Sequence, residues 1–273
     1  MDVQTEDGLR LHVIRSEAED PQGEVLLVHG YGEHSGRYAE VAESWTRRGL
    51  SVTAFDLRGH GRSEGPRGHV DRFEDYHRDL DAVSDFVRTQ SEHRPFLFGH
   101  SMGGLLSLHF LVQRGVEAWR GLALSSPYVG LELEVPAWKV AMGRVLNHVT
   151  PSLGLATDLK GAQVASDPEI AARYDIDPLN NKKATVRWFQ ESQRAMEEVF
   201  AGASELDIQT LLLFAGGDVV ASPAASRRLA QALPSVEAEE LAGLQHEILN
   251  EPKPTREGLI ERYADWFLAR VAS

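Results

Sequence analysis

Phe96-Leu97-Phe98-Gly99-His100-Ser101-Met102-Gly103-Gly104 is the stretch on which the reading of this chain turns. Phe96 to Phe98 is a short apolar run of the kind a buried strand needs, and the residues that follow, through Arg114, carry apolar side chains at helical spacing. Ser101 therefore sits on a sharp strand-to-helix turn. Such a turn holds its central residue in a strained backbone, so the positions two before and two after it must lack side chains, and Gly99 and Gly103 stand there. A Gly-x-Ser-x-Gly run alone is an ordinary glycine-rich turn. Placed between a strand and a helix it presents a candidate nucleophile, Ser101.

Outward from this turn, short apolar runs alternate with helical patterns. Val25–Val28, Val52–Phe55, Leu122–Leu124 and Leu211–Phe214 read as buried strands, and Tyr38–Arg48, Phe73–Thr89, Met102–Arg114, Ala224–Leu233 and Arg256–Val271 as helices. This rhythm predicts an α/β architecture with a mostly parallel sheet. Asp7-Gly8 between Val3-Gln4-Thr5 and Leu9, Leu11, Val13 reads as a hairpin at the sheet edge. Between Ser126 and about Leu206 no strand is apparent, only helix-like pieces punctuated by Pro136, Pro151, Pro168 and Pro178. A structureless loop of that length is improbable, so the segment is expected to form a helical cap over the ligand-binding end of the sheet.

A serine hydroxyl attacks only when a positioned base takes its proton, and a carboxylate must hold that base in the right tautomer. Where a strand-turn-helix elbow carries the serine, the acid and then the histidine follow it in the chain. Of the 11 histidines, only His109, His148 and His246 come after Ser101. His109 falls on the helix of the elbow and His148 in the cap, whereas His246 follows the strand-like Ala238–Leu241 and precedes the last helix. His246 is the candidate base. Asp218, reached directly from the strand Leu211–Phe214 through Ala215-Gly216-Gly217, is the candidate acid, although Asp after Gly-Gly is also common turn chemistry. A further tight loop, His29-Gly30-Tyr31-Gly32, follows Val25–Val28 and can aim a backbone N–H at a reacting carbonyl oxygen, with the residue after the nucleophile as second donor.

Four blocks in order carry a resemblance: His29 to Tyr38, Asp56 to Ser63 with Gly65 and Gly68 behind it, Gly99 to Gly104, and Gly243 to Ile248. They resemble the monoacylglycerol lipase and lysophospholipase branch of the α/β-hydrolases, a group placed with the serine aminopeptidase-like hydrolases, over nearly the whole chain. The resemblance implies the α/β-hydrolase fold: an eight-stranded, mostly parallel sheet flanked by helices, with a helical cap inserted after the sixth strand. The expected division is 1–126 and 206–273 for the core and 127–205 for the cap. It also implies oxyanion donors at Tyr31 and Met102 and a lid over an acyl pocket. The pattern departs at Ala221, where relatives commonly carry a branched aliphatic residue three positions after the acid. Asp56, Arg58, His60, Glu33 and His34 are expected to tie loops together by charge-assisted hydrogen bonds rather than to act in catalysis.

Composition narrows the partners. With 41 acidic and 28 basic residues the formal charge is -13, which repels phosphate backbones, so nucleic acid is not expected to bind. The absence of cysteine rules out a thiol nucleophile and thiolate metal sites, and neither metal nor cofactor is expected. No basic and apolar leader pattern opens the chain and no apolar run is long enough to cross a bilayer, which predicts a cytoplasmic protein. The stretch Val135–Val149, with Trp138, Val140, Ala141, Met142, Val145 and Leu146, predicts an apolar cap helix. It serves equally as cap core or as a tunnel wall in transient apolar contact with a lipid surface. The expected reaction is hydrolysis of a single-chain lipid ester, a monoacylglycerol or lysophospholipid, through an acyl-enzyme on Ser101. Open alternatives are a small-ester esterase, a proline-iminopeptidase-like enzyme holding an α-amine near Glu132 or Glu134, and a non-catalytic pocket-binding protein.

Overall fold

A computed structural model describes residues 1–132, 146–157 and 159–271. Its centre is a sheet of eight strands: β1 (Asp2–Gln4), β2 (Arg10–Ser16), β3 (Gly23–Val28), β4 (Leu50–Phe55), β5 (Phe96–His100), β6 (Gly121–Ser125), β9 (Thr210–Ala215) and β10 (Val236–Leu241). The spatial order is β1-β2-β4-β3-β5-β6-β9-β10. From β4 to β10 every neighbouring pair is parallel, and the β1–β2 hairpin joins antiparallel at one edge through the Thr5–Leu9 turn.

Alternation in the parallel strands builds two cores. In β3, Leu26 and Val28 face one layer and Val25 and Leu27 the other, all fully buried. Helix α1 (Ala39–Arg47) and α8 (Lys253–Val271) cover the second layer, joined by the Trp45 indole N–H donating to the Ile260 carbonyl at 2.9 Å. Helices α2 (Asp75–Gln90), α3 (Met102–Arg114) and α7 (Pro223–Ala232) cover the first. Edge strand β10 carries exposed Glu237, Glu239 and Glu240, spread over both its faces, and charges of this kind discourage edge-to-edge pairing with another chain.

The segment between β6 and β9 holds α4 (Gly161–Val164), α5 (Pro168–Ile176) and α6 (Val186–Gly202). It also holds a ribbon that the sequence reading did not contain: β7 (Gly154–Ala156) pairs antiparallel with β8 (Lys183–Thr185). Three residues per strand, with β7 wholly exposed, leave no alternation to detect, and the pairing rests on backbone hydrogen bonds. Helix α6 is amphipathic, with Trp188, Ser192, Ala195, Met196 and Val199 buried and the Thr185 hydroxyl capping its first turn from the Trp188 N–H at 3.2 Å. Most of the stretch 135–149 lies outside the described residues. Its last four, 146–149, are helical, and Val149 is exposed. Among the described residues no helix is long and apolar enough to cross a membrane.

The Asp56–Ser63 block does tie loops together. Asp56 accepts from the Ser35 amide at 2.7 Å, the Ser35 hydroxyl at 2.6 Å and the Arg62 amide at 2.8 Å. Arg58 bridges Asp79 and Asp7. Asp79 is fully buried, and burial pushes its carboxyl up to about 6 even with Arg58 alongside. Arg58→Ala would strand that charge and is expected to cost about 3–5 kcal/mol in urea unfolding at neutral pH. A loss below about 1 kcal/mol would contradict this account of the loop anchor.

Candidate active site

The backbone at Ser101 has φ 51° and ψ -119°, between the end of β5 and the first turn of α3. The flanking glycines are required by contact: a Cβ on Gly99 would lie 2.5 Å from the Gly103 carbonyl oxygen, and one on Gly103 would lie 2.2 Å from that of Val28. No real side chain fits at either place. His246, in the loop after β10, places Nε2 2.8 Å from Ser101 Oγ, and its Nδ1 lies 2.6 Å from Asp218 Oδ2. Asp218 Oδ1 accepts the N–H groups of Val220 at 2.7 Å and Ala221 at 2.9 Å. The Ala221 departure thus has no consequence at the acid, because its contact there is main-chain. All three side chains are buried, so the constellation is shielded from bulk water.

The other histidines that follow Ser101 separate cleanly. His109 is buried away from the site, 2.8 Å from His77 and 2.7 Å from Glu198. His148 is exposed. Glu74, His109 and Glu198 bring potential metal ligands together, but Arg194 already pairs with both carboxylates, at 2.6 and 2.5 Å, where a cation would meet a guanidinium.

The His29–Gly32 turn, the candidate oxyanion loop, has a defined orientation. The Leu57 amide donates to His29 Nε2 at 3.0 Å, which leaves the ring proton on Nδ1, and Nδ1 donates to the Gly30 carbonyl at 2.7 Å. Burial keeps His29 below the ordinary histidine value and hence neutral. A trans peptide points its N–H opposite its C=O, so the Tyr31 amide is turned away from His29. Gly30 itself packs against Ser101, since a Cβ there would come within 3.0 Å of Ser101 Cβ. Met102 is the first residue of α3, where helical N–H groups have no intrahelical acceptor.

Two buried carboxylates stand behind the histidine. Glu33 Oε1 accepts from the Gly30 amide at 2.6 Å and the Tyr38 hydroxyl at 2.7 Å, and Arg37 bridges Glu33 to Glu247 at 2.7 and 2.6 Å. Glu33 is therefore a loop tie, as expected, and also part of the cavity wall. Burial disfavours a charged His246, but the adjacent Asp218, with Glu247 and Glu33 beyond it, outweighs burial and raises its pKa above the ordinary value.

Above these residues lies a cavity of about 400 Å³. Its apolar walls include Tyr128, Leu155, Val164, Trp188, Phe189 and Val220, and none of its described lining residues is Lys or Arg. The Trp188-Phe189 pair was not singled out from sequence; an aromatic pair at the start of an amphipathic helix was the available signal.

A model of the family described as serine aminopeptidase, S33, matches residues 19–253. The chain belongs to this family of α/β-hydrolases. Among similar members, the phospholipase YtpA of Bacillus subtilis is 30% identical over 86% of this chain and 92% of its own length. The monoacylglycerol lipase of Mycolicibacterium smegmatis is 29% identical over 92% and 90%. The crystal structure of a monoacylglycerol lipase from Paleococcus ferrophilus superposes with a TM-score of 0.87 at 31% identity, covering 95% of this chain and 99% of that one. As the candidate base in this S33 member, His246 must be neutral to accept a proton, and its raised pKa means that acid protonates it early. The acid limb of kcat is expected to have its midpoint above about 6.5, the unperturbed histidine value. Asp218→Asn should lower kcat by on the order of 10⁴, as in the comparable protease case, and a pH-rate profile of both proteins checks it. An acid limb well below 6, or near-normal turnover in Asp218→Asn, would contradict the assignment.

Proposed function

We propose that the chain is a carboxylic ester hydrolase acting on single-chain lipid esters, with Ser101, His246 and Asp218 as its catalytic triad. The observation that carries it is the 2.8 Å Ser101–His246 contact at the floor of an apolar cavity. Ser101 Oγ attacks the ester carbonyl carbon while His246 Nε2 takes the hydroxyl proton. The oxygen of the tetrahedral intermediate gains negative charge, which the Tyr31 and Met102 amides stabilise. Collapse breaks the C–O bond, His246 returns the proton to the departing alcohol, and an acyl-serine remains. Water, deprotonated by His246, attacks the acyl carbon in turn, and the fatty acid leaves as Ser101 recovers its proton.

Wall chemistry supports a neutral leaving group. Arg37, behind the wall, is occupied between Glu33 and Glu247, a grouping that carries two negative charges and one positive, and none of the described lining residues is Lys or Arg. A monoacylglycerol meets no repulsion there, whereas a lysophospholipid phosphate does. The same saturation argues against aminopeptidase action, because Arg37, Tyr38 and the Gly30 amide already use the carboxylates that an α-amine would need. Glu132 is not among the lining residues and Glu134 lies outside the described ones.

Residues 127–205 act in this reading as a cap, with Val149, Leu153 and Leu155 as the exposed apolar surface that touches lipid transiently. The same reading places the enzyme in the cytoplasm, which cell fractionation tests.

Each buried methylene contributes about 0.8 kcal/mol, so kcat/KM for p-nitrophenyl esters should climb several-fold per two carbons and then stop where the cavity ends. Monoacylglycerol should be cleaved at least about tenfold faster than the lysophosphatidylglycerol of equal chain length, whose headgroup is anionic, a difference of about 1.4 kcal/mol. A flat profile or an acetyl optimum defeats the lipid reading. A lysophospholipid preference defeats the headgroup argument alone.

A further inference from the structure

The turn carrying Tyr31 is held from both sides, and one side belongs to the insertion. Within the core, Glu33 fixes the Gly30 amide and His29 the Gly30 carbonyl. From the insertion, the Asn181 amide donates to the Gly32 carbonyl at 2.8 Å, and the Tyr31 hydroxyl donates to the Lys183 carbonyl at 2.6 Å. The Asn181 side-chain amide approaches the same hydroxyl at 3.4 Å. Burial holds Tyr31 well above the ordinary tyrosine value, so the hydroxyl stays a donor.

These groups converge on Gly68, in the loop after the Asp56–Ser63 block. Gly68 has φ +63°, and a Cβ there would lie 2.4 Å from each of Asn181 Nδ2, the Lys183 oxygen and the Tyr31 hydroxyl. Its carbonyl accepts the Thr185 amide at 3.1 Å. Three segments thus meet around one missing side chain: the oxyanion turn, the 56–70 loop and the strap leading into β8. The Tyr31 ring, meanwhile, lies 3.9 Å from the Trp188 ring at the start of α6, on the cavity wall.

We propose that Tyr31 is a positioning residue whose side chain makes the oxyanion turn depend on the insertion, through its hydroxyl contact with the Lys183 carbonyl. This rests on the Tyr31 amide being an oxyanion donor as proposed above. The amide is common to every substrate. The hydroxyl is engaged with the Lys183 carbonyl and acts only by fixing where that amide points. Acylation and deacylation both pass through an oxyanion, so loosening the turn slows both steps without changing how the acyl chain binds.

Tyr31→Phe keeps the amide and the ring and removes only the hydroxyl. Steady-state kinetics on p-nitrophenyl acetate and p-nitrophenyl decanoate, with thermal unfolding in parallel, should show kcat reduced about 3- to 10-fold on both esters by a similar factor, with KM unchanged. A kcat within twofold of wild type on both esters overturns the proposal, even if the melting temperature falls, because the hydroxyl would then be only structural. A loss confined to the decanoate, or a rise in KM alone, also overturns it, since the side chain would then be acting as cavity wall. If the wild-type protein turns over neither ester, the hydrolase reading fails and this inference fails with it.

Discussion

The backbone of Ser101 is the constraint around which the rest is arranged. A non-glycine residue at φ 51° and ψ -119° costs on the order of 1–3 kcal/mol, and it persists only where its surroundings leave no alternative. Strand β5 delivers the chain between β3 and β6, and α3 starts at once from the turn. The Ser101 amide is held by the Ser125 carbonyl at 3.0 Å, and its own carbonyl accepts the Tyr128 amide at 2.9 Å. A relaxed turn would withdraw the hydroxyl from His246. The strained one aims it into the cavity and brings the first N–H of α3 beside it.

Electrostatics explains why so many charges are buried close by. Asp218 faces Nδ1 of the histidine and is itself satisfied by two backbone amides, so in the proposed mechanism it is a fixed counter-charge for the imidazolium that forms during attack. Glu33 and Glu247 extend the same field from further away, and Arg37 keeps the pair from becoming an uncompensated double charge. The excess negative charge that favours His246 protonation also, in the proposed function, disfavours an anionic headgroup in the cavity. One arrangement thereby bears on both the pH response and the choice of substrate.

The parts legible in the sequence were those fixed by local rules. Gly99 and Gly103 are dictated by contacts under 3 Å, and the chain order of serine, acid and histidine follows from where a parallel sheet presents its loops. The strands Val25–Val28 and Leu211–Phe214 lie within β3 and β9, whose residues are all buried, which is why apolar runs revealed them. Edges were less legible: β3 begins at Gly23 and α8 at Lys253, each extended by residues that carry no apolar signal. The cavity wall was hardly legible at all. Which face of α6 lines the cavity with Ser101 depends on how the segment between β6 and β9 folds back over the sheet. The β7–β8 ribbon, the Asn181 strap and the Gly68 convergence are products of that folding, made by backbone groups that every residue carries.

Trapping the acyl-enzyme tests the central claim most directly. Mixing the protein with p-nitrophenyl decanoate, quenching in acid within milliseconds and digesting should give a decanoyl mass increment on the peptide containing Ser101. The adduct should form at the rate of the nitrophenolate burst and be absent from Ser101→Ala. A decanoyl group on another residue, or turnover with full activity in Ser101→Ala, would contradict the account.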